Sequence, residues 1–197
     1  DIVVLDFETP YGKKYSLTSL TYEEYIFDPR FKVFGVGVSI NKSEPVWIYK
    51  NVEEYLQELF HEGNDKVLVC HNNLFDAAVL NWYFGLKPKM YICTQAMCRA
   101  LWNHGSSSLD QLARNCFPKD HSKRKGKELV QFKDVWELSR EQNEILGGYC
   151  KNDVQLTSDC FYFMLPFYPN DELRLIDLTI RMFAEPLFEA DIPRLST

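Results

Sequence analysis

The sequence contains no run of about 18 consecutive apolar residues, so no segment is expected to cross a membrane as a helix. None of its six cysteines are spaced as CxxC, and the four histidines, His61, His71, His104 and His121, form no zinc-spaced pair, which excludes the common zinc-finger and ribbon layouts. Several cysteines sit beside apolar residues, where a thiol behaves as a small hydrophobe, so reduced core thiols are expected rather than a disulfide framework. There is no internal repeat, no low-complexity linker and no signal-peptide pattern. Asp1 leads straight into an apolar run, so a cut start is expected. Basic charge is also short, with 22 Lys and Arg against 28 Asp and Glu and a net charge of −6. Taken alone, that deficit argues against a large non-specific nucleic-acid binder.

What is present is ordinary for a folded domain. The 197 residues are 46% hydrophobic and 25% charged, enough for one domain with a real core. The scarce basic charge is clustered, with Lys119, Lys123, Arg124, Lys125 and Lys127 inside one loop spanning 118–130. Apolar and β-branched runs predict strands at 2–5, 33–40, 45–49, 67–70 and 90–93, the first ending at Asp6. The residues from 10 to 30 read as a long excursion. Helices are expected after Asn51 as cap, at 73–84 up to Gly85 and Pro88, at 94–103 and at 107–116. Ser139 with Gln142 gives a capping box for a helix reaching about Met164, with Gly147-Gly148 as a candidate break. A last amphipathic helix spans 171–184 and is stopped by Pro186. Early strands followed by alternating helices and strands imply an α/β fold, a mixed sheet flanked by helices.

Three acidic elements stand out. Asp6 and Glu8 lie two apart at the end of a buried strand and so project to one side. Two carboxylates that close repel, and one is driven to hold its proton unless a cation lies between them. Hard oxygen ligands suit Mg²⁺ or Mn²⁺, although two solvated acids at a strand end would look the same. Asp76 falls in the first turn of a helix that follows a buried strand, a usual place for ligand sites in open α/β sheets. A favourable interaction with the helix dipole accounts for it equally. Tyr149 and Asp153, four apart, share one helix face beside a core stripe of Leu146, Cys150, Val154 and Phe161. A hydrogen-bonded surface pair is the plain alternative.

Read in order, Asp6-x-Glu8-Thr9, Asn72-x-x-Phe75-Asp76 and Tyr149-x-x-x-Asp153 resemble the three exonuclease motifs of the DEDD superfamily, Tyr branch, with a ribonuclease H-like fold. Within that branch the chain is most similar to the 3′-5′ proofreading domain of family A, DNA polymerase I-like enzymes of phage type. Tyr15-Ser16-Leu17, Asp28-Pro29-Arg30-Phe31 and Arg181-Met182-Phe183-Ala184-Glu185-Pro186 add to the likeness.

The resemblance implies a ribonuclease H-like mixed five-stranded sheet flanked by helices, with an exonuclease domain at 1–165. Residues 166–197 would form a C-terminal helix and the start of a connection to a downstream polymerase region. It implies two divalent cations, Mg²⁺ or Mn²⁺, held by Asp6, Glu8, Asp76 and Asp153. Asp6 would bridge both, Glu8 and Asp153 would serve the side of the attacking water, and Asp76 the other. Free tyrosine titrates near 10, so Tyr149 is expected to orient that water and not to act as a strong base. Phe7, Thr9, Asn72 and Phe75 are expected to meet the terminal nucleotide, and Lys123, Arg124 and Lys125 the phosphates. The expected partners are a single-stranded DNA 3′ end and the polymerase region of the same chain, with no membrane, in a monomer. The expected location is the cytoplasm of a bacterial or phage-infected cell. A ribonuclease D-like RNA 3′ exonuclease, or a catalytically idle nucleic-acid-binding module of a polymerase, are the rival readings.

Overall fold

The computed structural model describes residues 1–61, 65–103, 105–126, 128–185 and 194. Pro186, His104 and Lys127 lie outside the described residues. The strands are β1 (Ile2–Glu8), β2 (Gly35–Ile40), β3 (Val46–Ile48), β4 (Val67–Cys70) and β5 (Met90–Cys93). They form one five-stranded sheet in the order β3-β2-β1-β4-β5. β1 runs antiparallel to β2, and β2 to β3, while β1–β4 and β4–β5 are parallel. This is the expected mixed sheet. β1, β4 and β5 are apolar and almost wholly buried, as strands covered on both faces must be.

The helices are α1 (Tyr22–Ile26), α2 (Val52–Leu59), α3 (Asn73–Ala78), α4 (Thr94–Leu101), α5 (Leu109–Cys116), α6 (Arg140–Met164) and α7 (Asn170–Ala184). α1 falls inside the segment read as an excursion, and Thr21 with Glu24 closes a capping box around its start. Asn51 stands before α2 as expected but makes no side-chain cap bond, because its backbone is left-handed at φ 50°. The helix expected over 73–84 is two pieces. After α3 the chain widens into a π-turn, Val79–Tyr83, where Phe84 N–H reaches Val79 O. Gly85, at φ +69°, then ends it.

β1 is longer than expected, since β2 continues to pair with it as far as Glu8 opposite Gly35. β4, however, pairs only with residues 2–4 of β1. The far end of β1 is therefore free of a strand neighbour on its β4 side. Its acids sit in that gap.

α6 runs unbroken for 25 residues through Gly147 and Gly148, at a cost of about 1 kcal/mol for each helical glycine. Gly147 has a packing reason, because a Cβ there would lie 2.5 Å from the Trp47 ring. α6 lies across β1 and β2, and its Cys150 and Val154 rest on Gly37, where a Cβ would come within 2.7 and 2.8 Å of them. α7 packs on β5 and α3, with Ile176, Ile180 and Ala184 buried. All six cysteines are buried and free.

Candidate active site

Asp6 and Glu8 project from the end of β1 and Asp76 from the first turn of α3. Asp153, with Tyr149 one turn before it, comes from the middle of α6. Glu8, Asp76, Tyr149 and Asp153 are all buried, and Asp6 is half-buried. Asp76 is held by the strand itself. Its Oδ1 accepts the Phe7 backbone N–H at 3.1 Å, the donor that β4 is too short to take. Gly37 brings Asp153 close, because it pairs with Asp6 in the β1–β2 register and lets α6 settle onto the sheet at that point.

Burial raises the proton affinity of all four acids, and neighbouring charges adjust it. Burial first, and then the charge of Asp153, pushes the Asp6 carboxyl from 3.8 up to about 7, against the opposing pull of Lys125 and the Cys150 thiol. Glu8 is raised well above its ordinary value by burial, then by Asp6 and Asp153. Asp76 is raised by burial and by Asp6, with the Phe7 N–H opposing. Asp153 is raised by burial, while Lys125 and the Tyr149 hydroxyl favour its anion. Burial, with Asp153 and Glu8 beside it, pushes the Tyr149 phenol further up, so it stays protonated.

Four buried acids in one place need positive charge to ionise together. Asp153 Oδ1 is buried and has no hydrogen-bond partner among the described residues. One ligand-type atom from each of Asp6, Glu8 and Cys150 lies within 4.8 Å of the other two. An orphaned oxygen within a set of hard carboxylates fits an oxygen-seeking divalent cation. Cys150, whose Sγ is 3.6 Å from Asp6 Oδ2, is a neighbour the sequence reading missed. Its place in the core stripe of α6, which it also fills, hides that position in the sequence. Burial and the adjacent anions push its thiol well up, so it remains a thiol.

Lys125, one of the residues expected to meet phosphate, pairs with Asp153, and its ammonium sits 4.9 Å from the centre of the Tyr149 ring. Lys123 pairs with Asp159 on α6, and Arg124 donates to the carbonyls of Phe117 and Lys123. Phe7, Thr9 and Phe75 line a cavity of about 260 Å³ together with Glu8, Tyr11, Leu17 and Leu129. Thr9 Oγ1 is 2.8 Å from the Tyr25 hydroxyl, and Phe7 stacks on Phe84. Asn72 stands apart from these, lining a groove between α4 and α7. Its left-handed φ of 64° turns the chain from β4 into α3.

The sequence matches the protein family described as 3′-5′ exonuclease over residues 3–166. Solved structures share the fold. Brucella melitensis NrnC aligns at 16% identity over 94% of this chain and 84% of its own, with a TM-score of 0.61. Trypanosoma brucei RNase D aligns at 14% identity over 97% of this chain and 69% of its own, with a TM-score of 0.68. Escherichia coli RNase D aligns at 14% identity over 91% and 45%, with a TM-score of 0.55. No curated protein matches. Among the described residues no helix is long and apolar enough to cross a membrane.

Proposed function

This chain belongs to the 3′-5′ exonuclease family, and we propose that its substrate is the 3′ end of single-stranded DNA, from which it releases nucleoside 5′-monophosphates as the proofreading part of a longer polymerase chain. The observation that carries the reading is the meeting of Asp6, Glu8, Asp76 and Asp153, all four with raised proton affinity, with Tyr149 against them. Residues 1–165 are the catalytic unit in this reading, and 166–197 begin the connection onward. The motif likeness to family A proofreading domains supports DNA and the polymerase attachment.

Asp6, Glu8, Asp76 and Asp153 would hold two divalent cations, Mg²⁺ or Mn²⁺. When bound, such ions offset charge on the phosphate and make water a better nucleophile near neutral pH. A solved NrnC structure from Brucella melitensis carries Mg²⁺, which is consistent with this choice. The reaction adds water across the terminal P–O3′ bond, with hydroxyl to phosphorus and a proton to the departing 3′ oxygen. Tyr149, kept protonated, donates a hydrogen bond that aims the water and does not remove its proton. Phe7, Phe75 and Leu17 give the terminal nucleoside apolar surfaces on which any base can stack. Thr9 supplies a hydroxyl at the wall of the same cavity.

The test is a time course on 3′-recessed and single-stranded DNA and on matched RNA, with Mg²⁺ and with EDTA. Release of 5′-monophosphates from DNA, abolished by EDTA, is the expected result. Cleavage of RNA alone would replace DNA by RNA as the substrate. Cleavage that persists in EDTA would overturn the cation assignment.

A further inference from the structure

Among the described residues nothing gives Gly148 a packing reason. It sits in mid-helix, exposed, and an added Cβ would meet none of them within 4 Å. Its neighbour Gly147 is fixed by Trp47, but Gly148 keeps a bare backbone next to Tyr149 for no internal contact. Two hollows meet there. The larger, about 1060 Å³, lies between the β3 edge and the start of α6, and the smaller, about 370 Å³, reaches Tyr149 and Arg124. Gly148 and Glu144 line both, so the two hollows join at these residues into one groove.

The groove walls carry the groups that a single strand needs. Phe34, Trp47 and Tyr49 are flat surfaces along it, with Tyr49 48% exposed. Phe34 and Trp47 pack on the same small core cluster that holds Tyr149. Lys32, Lys50 and Lys151 line it too, and none of the three is in an ion pair among the described residues. Arg140 and Glu144 pair with each other, which leaves Glu137 in the larger hollow and Glu128 in the smaller as opposing acids. On a chain with a net charge of −6 this is a local basic stripe interleaved with aromatics, the chemistry of non-specific single-strand binding.

We propose that this groove binds the 5′-ward continuation of the substrate strand, a single-stranded nucleic acid several nucleotides from its reacting 3′ end, and that Gly148 is bare so the strand can pass close over α6. The inference rests on the nuclease reading above. Phe34 N–H donates to Glu8 O, which ties the groove wall to the end of β1, and the smaller hollow reaches Tyr149 beside the acids. The strand leaves the site past Tyr149, crosses Gly148, and lays bases on Trp47 and Tyr49 while Lys50 and Lys151 meet its phosphates.

Fluorescence anisotropy with 5′-labelled single-stranded DNA, in Ca²⁺ to hold back hydrolysis, tests this with a trinucleotide and a strand of about 12 nucleotides. The native chain is expected to bind the longer strand at least about tenfold tighter. Lys50→Glu with Lys151→Glu removes most of that gain, leaves the trinucleotide within about twofold, and lowers the salt slope by about 1.4. Gly148→Gln weakens the longer strand alone while raising the thermal midpoint, since glutamine is the better helix former. Equal affinity of the native chain for both lengths, or charge reversals that weaken both alike, would overturn the groove and leave the nuclease reading intact. Failure of the native chain to bind either strand would overturn both.

Discussion

Lys125 and Asp153 form an ion pair across 28 residues of sequence, and the pair puts an ammonium where it acts on Asp6, Glu8 and Asp153 together. Asp6, Glu8 and Asp153 all have their proton affinity lowered by that one charge. Lys125 therefore does for the cation-free site part of what a bound metal ion would do. Replacing it by methionine keeps the length of the side chain and removes the charge. Without divalent metal, Lys125→Met should lose about 1–3 kcal/mol of stability, the usual cost of a buried acceptor losing a charged donor. Saturating Mn²⁺ should raise its melting temperature more than it raises that of the native chain. Thermal unfolding in EDTA and in Mn²⁺ checks this, and equal metal shifts for the two proteins would contradict it.

Asp6→Asn should separate function from stability. The substitution removes one charge from the middle of the repelling set and preserves shape. Activity on single-stranded DNA should fall by at least roughly 10²–10³-fold, the scale for losing a preorganised transition-state contact. The same variant should melt above the native chain in EDTA at pH 8, because repulsion among the remaining acids is lower. A variant that loses activity and also unfolds earlier would mean that Asp6 is chiefly structural.

The resting fold should weaken as pH rises through the weakly acidic range. Asp6 titrates near its ordinary 3.8 when unfolded and at about 7 when folded. An acid with its folded value raised takes up a proton on folding between those two points. Its contribution is whole below the unfolded value and is lost as pH climbs to the folded one. Glu8, Asp76 and Asp153 are shifted in the same direction. In EDTA the melting temperature should fall by about 5 °C or more between pH 4.5 and 7.5, and saturating Mn²⁺ should flatten that decline. A profile in EDTA that rises over this interval would refute the shared burial of the acids.

Much of this site is legible along the chain. Asp6 and Glu8 announce themselves by their spacing on an apolar run, and Tyr149 and Asp153 by theirs on a helix. The mixed sheet follows from the order of apolar runs. What the sequence hides are contacts between distant residues. Lys125 lies in a basic loop, and loop charges read as solvated or as grips for phosphate. Only the docking of that loop on α6 shows that this lysine faces the acids. Cys150 satisfies the core stripe of α6, so periodicity gives no hint that its sulfur also lies beside Asp6. Asn51 shows the limit of local signals, since a good capping residue fails to cap once its backbone is turned left-handed. Gly147 and Gly148 look alike in the sequence. Only Trp47, 100 residues away from Gly147 along the chain, distinguishes them.

Gly37 is where α6 comes close to the sheet. It is opposite Asp6, and a Cβ on it would stand 2.7 Å from Cys150 Sγ and 2.8 Å from Val154 Cγ2. Both neighbours are fully buried and cannot swing away, so α6 itself must lift. Gly37→Ala should cost about 1–3 kcal/mol as an overpacked core. Because Asp153 is carried on the same turn of α6 while Asp6 stays on β1, the lift also separates the two acids. Displacing a catalytic group by about 1 Å can reduce turnover by about 10²-fold. Gly37→Ala should thus lose far more activity than its melting temperature alone explains, and its half-saturating Mn²⁺ concentration should rise. Val154→Ala combined with Gly37→Ala makes room for the new methyl, and it should recover part of both losses. If the double variant is no more active than Gly37→Ala alone, the close approach at Gly37 is not what sets the distance between β1 and Asp153.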